Sequence, residues 1–459
     1  MEHMTVKDIV TATEGRLLSG DENTILKKIR LDSRTVEPGD LFVPLIGEKV
    51  DAHKFASQVM EASAGAVLTS RHTKAEGPGA WIQVKDTKEA LQAIGSFCRS
   101  RISIPVVGIT GSVGKTTTRE MVAAALSSGF QVYKTPGNSN SQVGVPITIS
   151  EISQKDHIAV LELGMSEPGE LTRIAKIARP FMALITNIGV THIEQLGSQE
   201  NIYREKLTIQ DGLEPGGILF LNGDDKLLKN TKARDGFRTI YYGTEDGCDY
   251  RAENIREEKG YPVFYAVHGD QKVLVSLKVM GRHNILNAMA AIAVAEEAGL
   301  TMEQAALGLT QYTGFKGRQN ITEYMGITVI DDSYNASPVS MKAGIDVLCS
   351  MPGGRRKIAV LADMKELGSD TEIFHREVGE YIKEKNVDAL ITLGQMAFKL
   401  AESAGKGESH MEIRCFENRD EMTEFLKTYL KAGDQVLFKG SNSMKLGETA
   451  ACFTGIQRS

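Results

Sequence analysis

The stretch Ile104-Pro105-Val106-Val107-Gly108-Ile109-Thr110-Gly111-Ser112-Val113-Gly114-Lys115-Thr116-Thr117 decides how the chain is read. Its apolar run predicts a buried strand, its glycines a tight turn, and the residues from Lys115 onward a helix. Such a junction points backbone N–H groups and the positive end of the helix dipole into one concavity, where phosphate oxygens are held. Lys115 adds a point charge for the outer phosphates, and the Thr116 hydroxyl stands where a magnesium ion would be ligated. A bare glycine turn between strand and helix is often only a tight connection. Lys-Thr at this offset favours nucleotide phosphates, bound by Gly111, Ser112, Val113, Gly114, Lys115, Thr116 and Thr117. The eight-residue phosphate-loop pattern is incomplete, because its first glycine position holds Ile109. What remains is the short Gly-x-x-Gly-Lys-Thr core.

Around this core the chain runs to 459 residues, enough for about three domains. It is 41% hydrophobic and 24% charged, with no segment long and apolar enough to span a bilayer. The start, Met1 to Asp8, lacks the basic-then-apolar pattern of a secretory signal, so a cytoplasmic protein is expected. A net charge of −6 argues against nucleic acid as the main partner. The five cysteines are scattered, without a Cys-x-x-Cys pair, which suggests neither a disulfide framework nor a zinc site.

Three α/β units are expected: 1–100, 101–315 and 316–459. In the first, strands are predicted at Ile25–Leu31, Leu41–Leu45, Ala66–Thr69 and Trp81–Val84, with helices near Phe55–Ala62 and Lys88–Arg99. The cluster Asp32-Ser33-Arg34 at a strand end either caps a turn or contributes to an anion site. In the second unit, Ile158-Ala159-Val160-Leu161 reads as a strand buried on both faces that ends in Glu162. A second run, Met182–Ile185, leads into Thr186-Asn187-Ile188-Gly189-Val190-Thr191-His192. Ligands of open parallel sheets lie beyond the C-terminal strand ends, so Glu162 and His192 should project toward Lys115 and Thr116. The third unit repeats the alternation with strands at Ile327–Ile330, Lys357–Leu361, Ala389–Leu393 and Gln435–Phe438. Its first helix is signalled by Ser337 at the cap, Pro338 behind it and a Met341, Ile345, Leu348 stripe.

One lysine falls on an apolar helix face. The segment Ser198–Ile209 reads as a helix whose stripe is Ile202, Ile209 and Leu213, and Lys206 lies four residues after Ile202. Three readings are open for it. It snorkels to the surface, it is held near an anion, or it is desolvated, with a lowered pKa and a nucleophilic amine. Such an amine can take up carbon dioxide as a carbamate, which ligates metal as a carboxylate does.

In this order, Gly111–Thr117, Glu162, His192 and Lys206 resemble the Mur ligases, ATP-dependent amide-forming enzymes of peptidoglycan precursor synthesis. The resemblance extends over the whole chain. Gly281-Arg282-His283-Asn284-Ile285-Leu286-Asn287-Ala288 is similar to their Gly-x-His-Asn-x-x-Asn-Ala helix start. Asp331-Asp332-Ser333-Tyr334-Asn335-Ala336-Ser337-Pro338 resembles the signature of the branch that adds D-alanyl-D-alanine. So do Ala362-Asp363-Met364-Lys365-Glu366-Leu367-Gly368 with His375, and Lys439-Gly440-Ser441-Asn442-Ser443-Met444. Asp32-Ser33-Arg34 with Gly47 and Asp51-Ala52-His53-Lys54-Phe55 resembles a uridine-diphosphate-binding unit.

The resemblance implies a central parallel-sheet ATPase domain between an N-terminal UDP-binding α/β domain and a C-terminal Rossmann-like domain. It implies ATP and two Mg2+ ions as cofactors, with Thr116 and Glu162 on one ion and His192 and a carbamylated Lys206 around the second. Substrates would be a UDP-N-acetylmuramoyl-tripeptide and D-alanyl-D-alanine, with no nucleic acid, no membrane insertion and a monomeric enzyme. Lys115, His192, Lys206 and Arg318 would be catalytic. Asn284, Asn287, Arg318, Asp332 and Tyr334 would meet the nucleotide, Asp332 at the ribose. Ser33, Arg34, His53, Asn140, Asn335, His375, Lys439 and Ser441 would meet the other substrates, Lys439 at the dipeptide carboxylate. The residues leave bland alternatives beside these roles: His375 as an ordinary histidine, Lys439 as a strand-end cation, Tyr334 as packing.

Three departures stand out. The family's Asn-x-Asn-Asn-Glu run is Asn138-Ser139-Asn140-Ser141-Gln142 here, Ser337 replaces an asparagine, and Asp51-Ala52-His53 lacks a glycine. None removes an implied metal ligand. The competing functions are another amino-acid ligase of the family and a non-catalytic nucleotide sensor. The Asp-Asn-Pro-Arg run of the ligase adding the third stem residue is absent. A sensor would not need Glu162, His192 and Lys206 together.

Overall fold

A computed structural model describes residues 1, 3–407 and 411–455. The strand Val106–Thr110 lies deep in a nine-stranded sheet, between Met182–Ile185 and Ile158–Glu162 and parallel to both. All five of its residues are buried, as its uninterrupted apolar character requires of a strand covered on both faces. Ile109 is paired within this strand and fully buried, so the backbone is still extended where the longer phosphate-loop pattern has glycine. The turn proper begins two residues later, at Gly111.

Helices Lys115–Leu126, His283–Glu297 and Met302–Leu309 cover one face of the sheet. The other face packs on Glu170–Ala178 and on helix Thr87–Ser100, which approaches Gly144–Ser150 so closely that a Cβ on Gly95 would fall 2.7 Å from Pro146 Cα. Arg99, buried in the same seam, donates to the carbonyls of Ala178 (2.8 Å) and Arg179 (2.9 Å). One apolar core therefore runs without a break from the N-terminal residues into the central sheet.

Sequence patterning missed how this sheet ends. After Arg238–Gly243 it continues through Tyr250–Glu258 into two antiparallel strands, Tyr261–His268 and Gln271–Ser276, which carry no site residue.

The N-terminal sheet has five strands, in the order Arg16–Ser19, Ala80–Gln83, Ala66–Thr69, Leu41–Phe42, Ile29–Arg30. The single strand expected over Ile25–Leu31 is two: Ile25–Leu26 pairs with Met4–Thr5 and Ile29–Arg30 with Leu41–Phe42. The chain changes partner between them, at Lys27-Lys28. The third sheet has six strands, ordered Asn320–Tyr324, Ile327–Asp331, Gln435–Lys439, Lys357–Ala362, Ala389–Leu393, Glu412–Phe416, parallel except for the first. Ser337 caps Pro338–Ser350 in a capping box with Ser340, and Met341, Ile345 and Leu348 are fully buried beneath it.

Candidate active site

Glycine is required at Gly111 for two reasons. Its φ is +147°, and a Cβ there would fall 1.8 Å from Thr186 Oγ1. Thr186 and Asn187, beyond the neighbouring strand, brace the loop from below. Thr186 Oγ1 donates to Val113 O (2.6 Å), and the Asn187 side chain both accepts from Val113 N and donates to Val113 O, each at 3.0 Å. Gly189 N donates to Ser112 Oγ (2.8 Å). Gly114, with φ +85°, then opens the helix that starts at Lys115.

Lys115 bends back over the loop, its Nζ donating to Gly111 O (2.8 Å). Burial lowers its pKa and the Arg318 guanidinium lowers it further, against the raising effect of Glu162 and Glu366. Thr116 Oγ1 donates to Glu162 Oε2 (3.0 Å), and the other Glu162 oxygen accepts from Asn140 Nδ2 (2.8 Å). The predicted convergence of Glu162 on the phosphate loop is thus present, and the altered run 138–142 keeps its Asn140 on that carboxylate.

His192 reaches the same edge in a left-handed conformation, φ +65°. Its Nδ1 lies 2.6 Å from Glu366 Oε2 of the third unit, without the alignment of a directed hydrogen bond. Its ring depresses the pKa of Glu366. Lys206 does not snorkel: it is 1% exposed in helix Gln199–Leu207, and no hydrogen-bond or ion-pair partner is found for its amine among the described residues. Burial, reinforced by Lys115, pushes its pKa well below the usual lysine range.

Arg318 arrives from the connection between the second and third units. Its guanidinium sits 4.1 Å from the Tyr334 ring centroid and its Nη2 is 3.5 Å from Thr116 Oγ1. Its Nε is buried without a partner among the described residues.

The start of this helix separates two cavities. On one side a cavity of about 320 Å³ is lined by Gly114, Thr117, Asn284, Asn287, Arg318 and Asp332 together with Asn222, Tyr242 and His283. Asn287 there accepts from Thr118 Oγ1 (2.9 Å) and donates to Asn284 Oδ1 (3.0 Å). On the other side a cleft of about 360 Å³ is lined by Thr116, Gly137, Asn138, Lys316, Tyr334 and Lys445. Tyr334 lines this second cleft and supports Arg318, so it stands outside the cavity lined by Asn284, Asn287 and Asp332.

Other expected site residues are committed to protein partners. Lys439, 2% exposed, donates to Asp332 Oδ2 (2.7 Å) and to Asn335 O (3.2 Å), so it is no free cation for a carboxylate. His375 is fully buried, with Nε2 accepting from Met364 N (2.9 Å) and Nδ1 donating to Thr371 O (2.7 Å). No ring nitrogen is left for a substrate. Ser441 Oγ accepts from Lys365 N (2.9 Å), and Asn335 Oδ1 accepts from Ala336 N (2.8 Å). In the first unit His53 accepts from Ser70 N (3.1 Å) and lies 2.6 Å from Asp51, a buried brace for its loop. Ser33 and Arg34 lie on a short 3-10 turn, and the Arg34 guanidinium is exposed but chelated by Asp32.

Residues 109–295 match the Mur ligase middle domain, and residues 317–442 match the Mur ligase, glutamate ligase domain. The chain is 37% identical to the UDP-N-acetylmuramoyl-tripeptide–D-alanyl-D-alanine ligase of Bacillus subtilis (strain 168), over 97% of both chains. The chain is a Mur ligase. It is 34% identical to the ligase of the same name from Escherichia coli (strain K12), over 98% of each. Among solved structures it is similar to MurF from Acinetobacter baumannii (TM-score 0.89, 31% identity, covering 98% of this chain and 99% of that one). It is also similar to MurF ligase from Thermotoga maritima in complex with ADP (TM-score 0.83, 28% identity, covering 95% and 99%).

A Mur ligase uses ATP with magnesium, and the donor set at Thr116 fits that ion. Neighbouring oxygens of an octahedral Mg2+ site lie about 2.9 Å apart, given arms of about 2.05 Å. Thr116 Oγ1 and Glu162 Oε2 stand at 3.0 Å. Among the described residues no group of three or more His, Cys, Asp or Glu is placed to hold a metal alone. Nucleotide phosphates and water must therefore complete the shell, as is usual for magnesium. Sequence patterning does not single out Thr186 and Asn187, which stand in the run leading to His192 without a motif of their own. Asn222 and Tyr242 sit at strand ends with no motif around them.

Proposed function

We propose that this Mur ligase joins the free carboxylate of a UDP-N-acetylmuramoyl-tripeptide to the amine of D-alanyl-D-alanine, converting ATP to ADP and phosphate. The observation that carries this reading is the meeting of Lys115, Thr116, Glu162 and the hinge-borne Arg318 between two cavities. One has the neighbours for a nucleotide, the other opens beside Thr116 for peptide substrates. Lys115 and Arg318 offset the repulsion between the triphosphate and the incoming carboxylate. The carboxylate oxygen attacks the γ-phosphorus in line, the bond to the β–γ bridging oxygen breaks, and ADP leaves behind an acyl phosphate. The dipeptide amine adds to the acyl carbon, loses a proton and expels phosphate from the tetrahedral intermediate. Magnesium held by Thr116 and Glu162 would supply charge neutralisation at the phosphates.

The third unit excludes water by lying over His192 with Glu366, and its Lys439 holds Asp332 toward the nucleotide cavity. With Lys439 occupied, Lys316 and Lys445 in the second cleft are the cations that face a dipeptide carboxylate. A carbamate on Lys206, with His192, would hold a second magnesium ion; the burial of Lys206 and its lowered pKa favour the neutral amine that carbon dioxide requires. Ser33 and Arg34 contact the uridine diphosphate, with His53 bracing their neighbourhood. The three units are domains at 1–100, 101–315 and 316–459. No helix among the described residues is long and apolar enough to cross a membrane. The enzyme acts in the cytoplasm, as a monomer.

Phosphate release from ATP should require both the UDP-tripeptide and D-alanyl-D-alanine; release indifferent to the dipeptide would overturn the assignment. Lys206→Ala should abolish turnover, with partial rescue by a short carboxylate such as formate. Unaltered turnover would remove the carbamate.

A further inference from the structure

Arg119 follows Lys115 by one helical turn, is fully buried and has no part in the chemistry above. It touches three pieces of the site at once. Nη1 donates to Gly137 O (2.7 Å) and to Glu162 Oε2 (3.2 Å). Nε and Nη2 both donate to Glu120 Oε1 (3.2 and 2.5 Å), and the guanidinium lies 5.5 Å from the Phe315 ring centroid. Phe315 belongs to the segment that delivers Arg318, and Gly137 to the loop that delivers Asn140.

We propose that Arg119 is a positioning residue for the metal–nucleotide site. Its planar fork fixes the Glu162 carboxylate beside Thr116 and ties that carboxylate to the Gly137 loop and to the hinge. The inference rests on Thr116 and Glu162 as the magnesium pair.

Two observations separate positioning from competition for the metal. Arg119 keeps its closest carboxylate contact with Glu120, which it shares with Lys134, so the guanidinium is anchored outside the metal site and reaches Glu162 with one nitrogen only. The contact to Glu162 is also the longer of the two made by Nη1, while Asn140 holds the opposite oxygen. Oε2 therefore has Arg119 on one lone-pair site and Thr116 on the other, and the second is freed for an ion when the Thr116 hydroxyl turns its hydrogen away. A lysine keeps the charge but loses the fork: three donors on one tetrahedral nitrogen cannot serve Glu120, Gly137 and Glu162 in this plane.

The test is ADP binding by calorimetry on the full chain, once with magnesium chloride and once with EDTA. Wild type should bind ADP more tightly with magnesium. Arg119→Lys and Arg119→Met should each reduce that magnesium-linked gain about tenfold or more, the size seen when groups supporting a metal ligand are removed. Affinity in EDTA should stay within about twofold. A merely structural arginine would move both affinities together, and circular dichroism checks that the variants are folded. If Arg119→Met does not fold, Arg119→Lys decides alone. A magnesium-linked gain unchanged in Arg119→Lys, or increased in either variant, overturns the proposal. If wild type shows no such gain, the magnesium reading of Thr116 and Glu162 falls instead, and this inference with it.

Discussion

The central and third sheets are built alike, yet the polar groups at their C-terminal strand ends are in opposite states. In the third sheet they close on one another. Lys439 holds Asp332, His375 has both ring nitrogens occupied, and Asp363 accepts from Ala397 N (2.8 Å) and from Lys365 (2.9 Å). At the phosphate loop of the central sheet the carboxylate of Glu162 is engaged by Thr116, Asn140 and Arg119, but the cations gathered there are left underused. Lys115 has a backbone carbonyl rather than a carboxylate, Lys206 has no partner among the described residues, and the Arg318 Nε is buried and unsatisfied. Buried polar groups ordinarily find partners, so unmet capacity points to a ligand that supplies them. Signature motifs mark both sheet edges, and only the second set retains capacity for chemistry. The third sheet shapes a wall; the central sheet does the work.

The largest effect should come from breaking the central set. Lys115→Met is expected to lower kcat roughly 10³-fold, the scale for removing one preorganised charge from developing phosphate charge. Steady-state phosphate release measures it, and a loss under tenfold would put Lys115 outside the reaction. Lys439→Met is the matched probe in the third sheet. It leaves Asp332 buried and unpaired, which should lower stability by about 3–5 kcal/mol, read from the denaturant midpoint. In the folded fraction the KM for ATP should rise about tenfold, because Asp332 lines the nucleotide cavity, while kcat stays within about threefold. A kcat loss as deep as that of Lys115→Met would erase the distinction between the two edges.

The sequence made the strand positions legible because parallel strands buried on both faces are uninterrupted apolar runs; Ala389–Leu393 matches its predicted bounds. It made the phosphate loop and Glu162 legible because one is a local motif and the other the last residue of such a run. What it did not convey was which polar residues satisfy each other across long separations. Lys439 and Asp332 are 107 positions apart, and nothing near either announces the pair. The same limit explains His53 and His375, each read as a substrate contact and each a brace. The hairpin strands Tyr261–His268 and Gln271–Ser276 escaped for another reason: they are an antiparallel extension of a parallel sheet, with neither regular alternation nor a motif to mark them. Lys206 was legible as an anomaly, a lysine on an apolar stripe, but only the fold shows that it does not reach water.

Within the third sheet, His375→Ala should leave Met364 N and Thr371 O without partners and cost about 2 kcal/mol in thermal or denaturant unfolding. Turnover of the folded enzyme should be nearly unchanged. A selective rise in the KM for D-alanyl-D-alanine would restore His375 as a substrate contact and weaken the contrast.

The finest test sets the two buried lysines against each other by sign. Lys439 has a carboxylate and should destabilise when removed; Lys206 has none, so Lys206→Met should stabilise the apo-protein in carbonate-free buffer. The pH dependence fixes the cause. Because the folded-state pKa of Lys206 is lowered, the unfolded chain binds its proton at pH values where the native chain does not. Wild-type stability should therefore rise with pH from the folded value up to the unfolded value of about 10.4, with this residue contributing up to about 1.4 kcal/mol per pH unit. The advantage of Lys206→Met should be greatest at low pH and vanish above about pH 10.4. Added bicarbonate should stabilise wild type alone, since a carbamate converts the uncompensated amine into an anion that Lys115 can meet. An advantage independent of pH would mean that methionine merely packs better, and Lys206 would then belong with the closed groups of the third sheet.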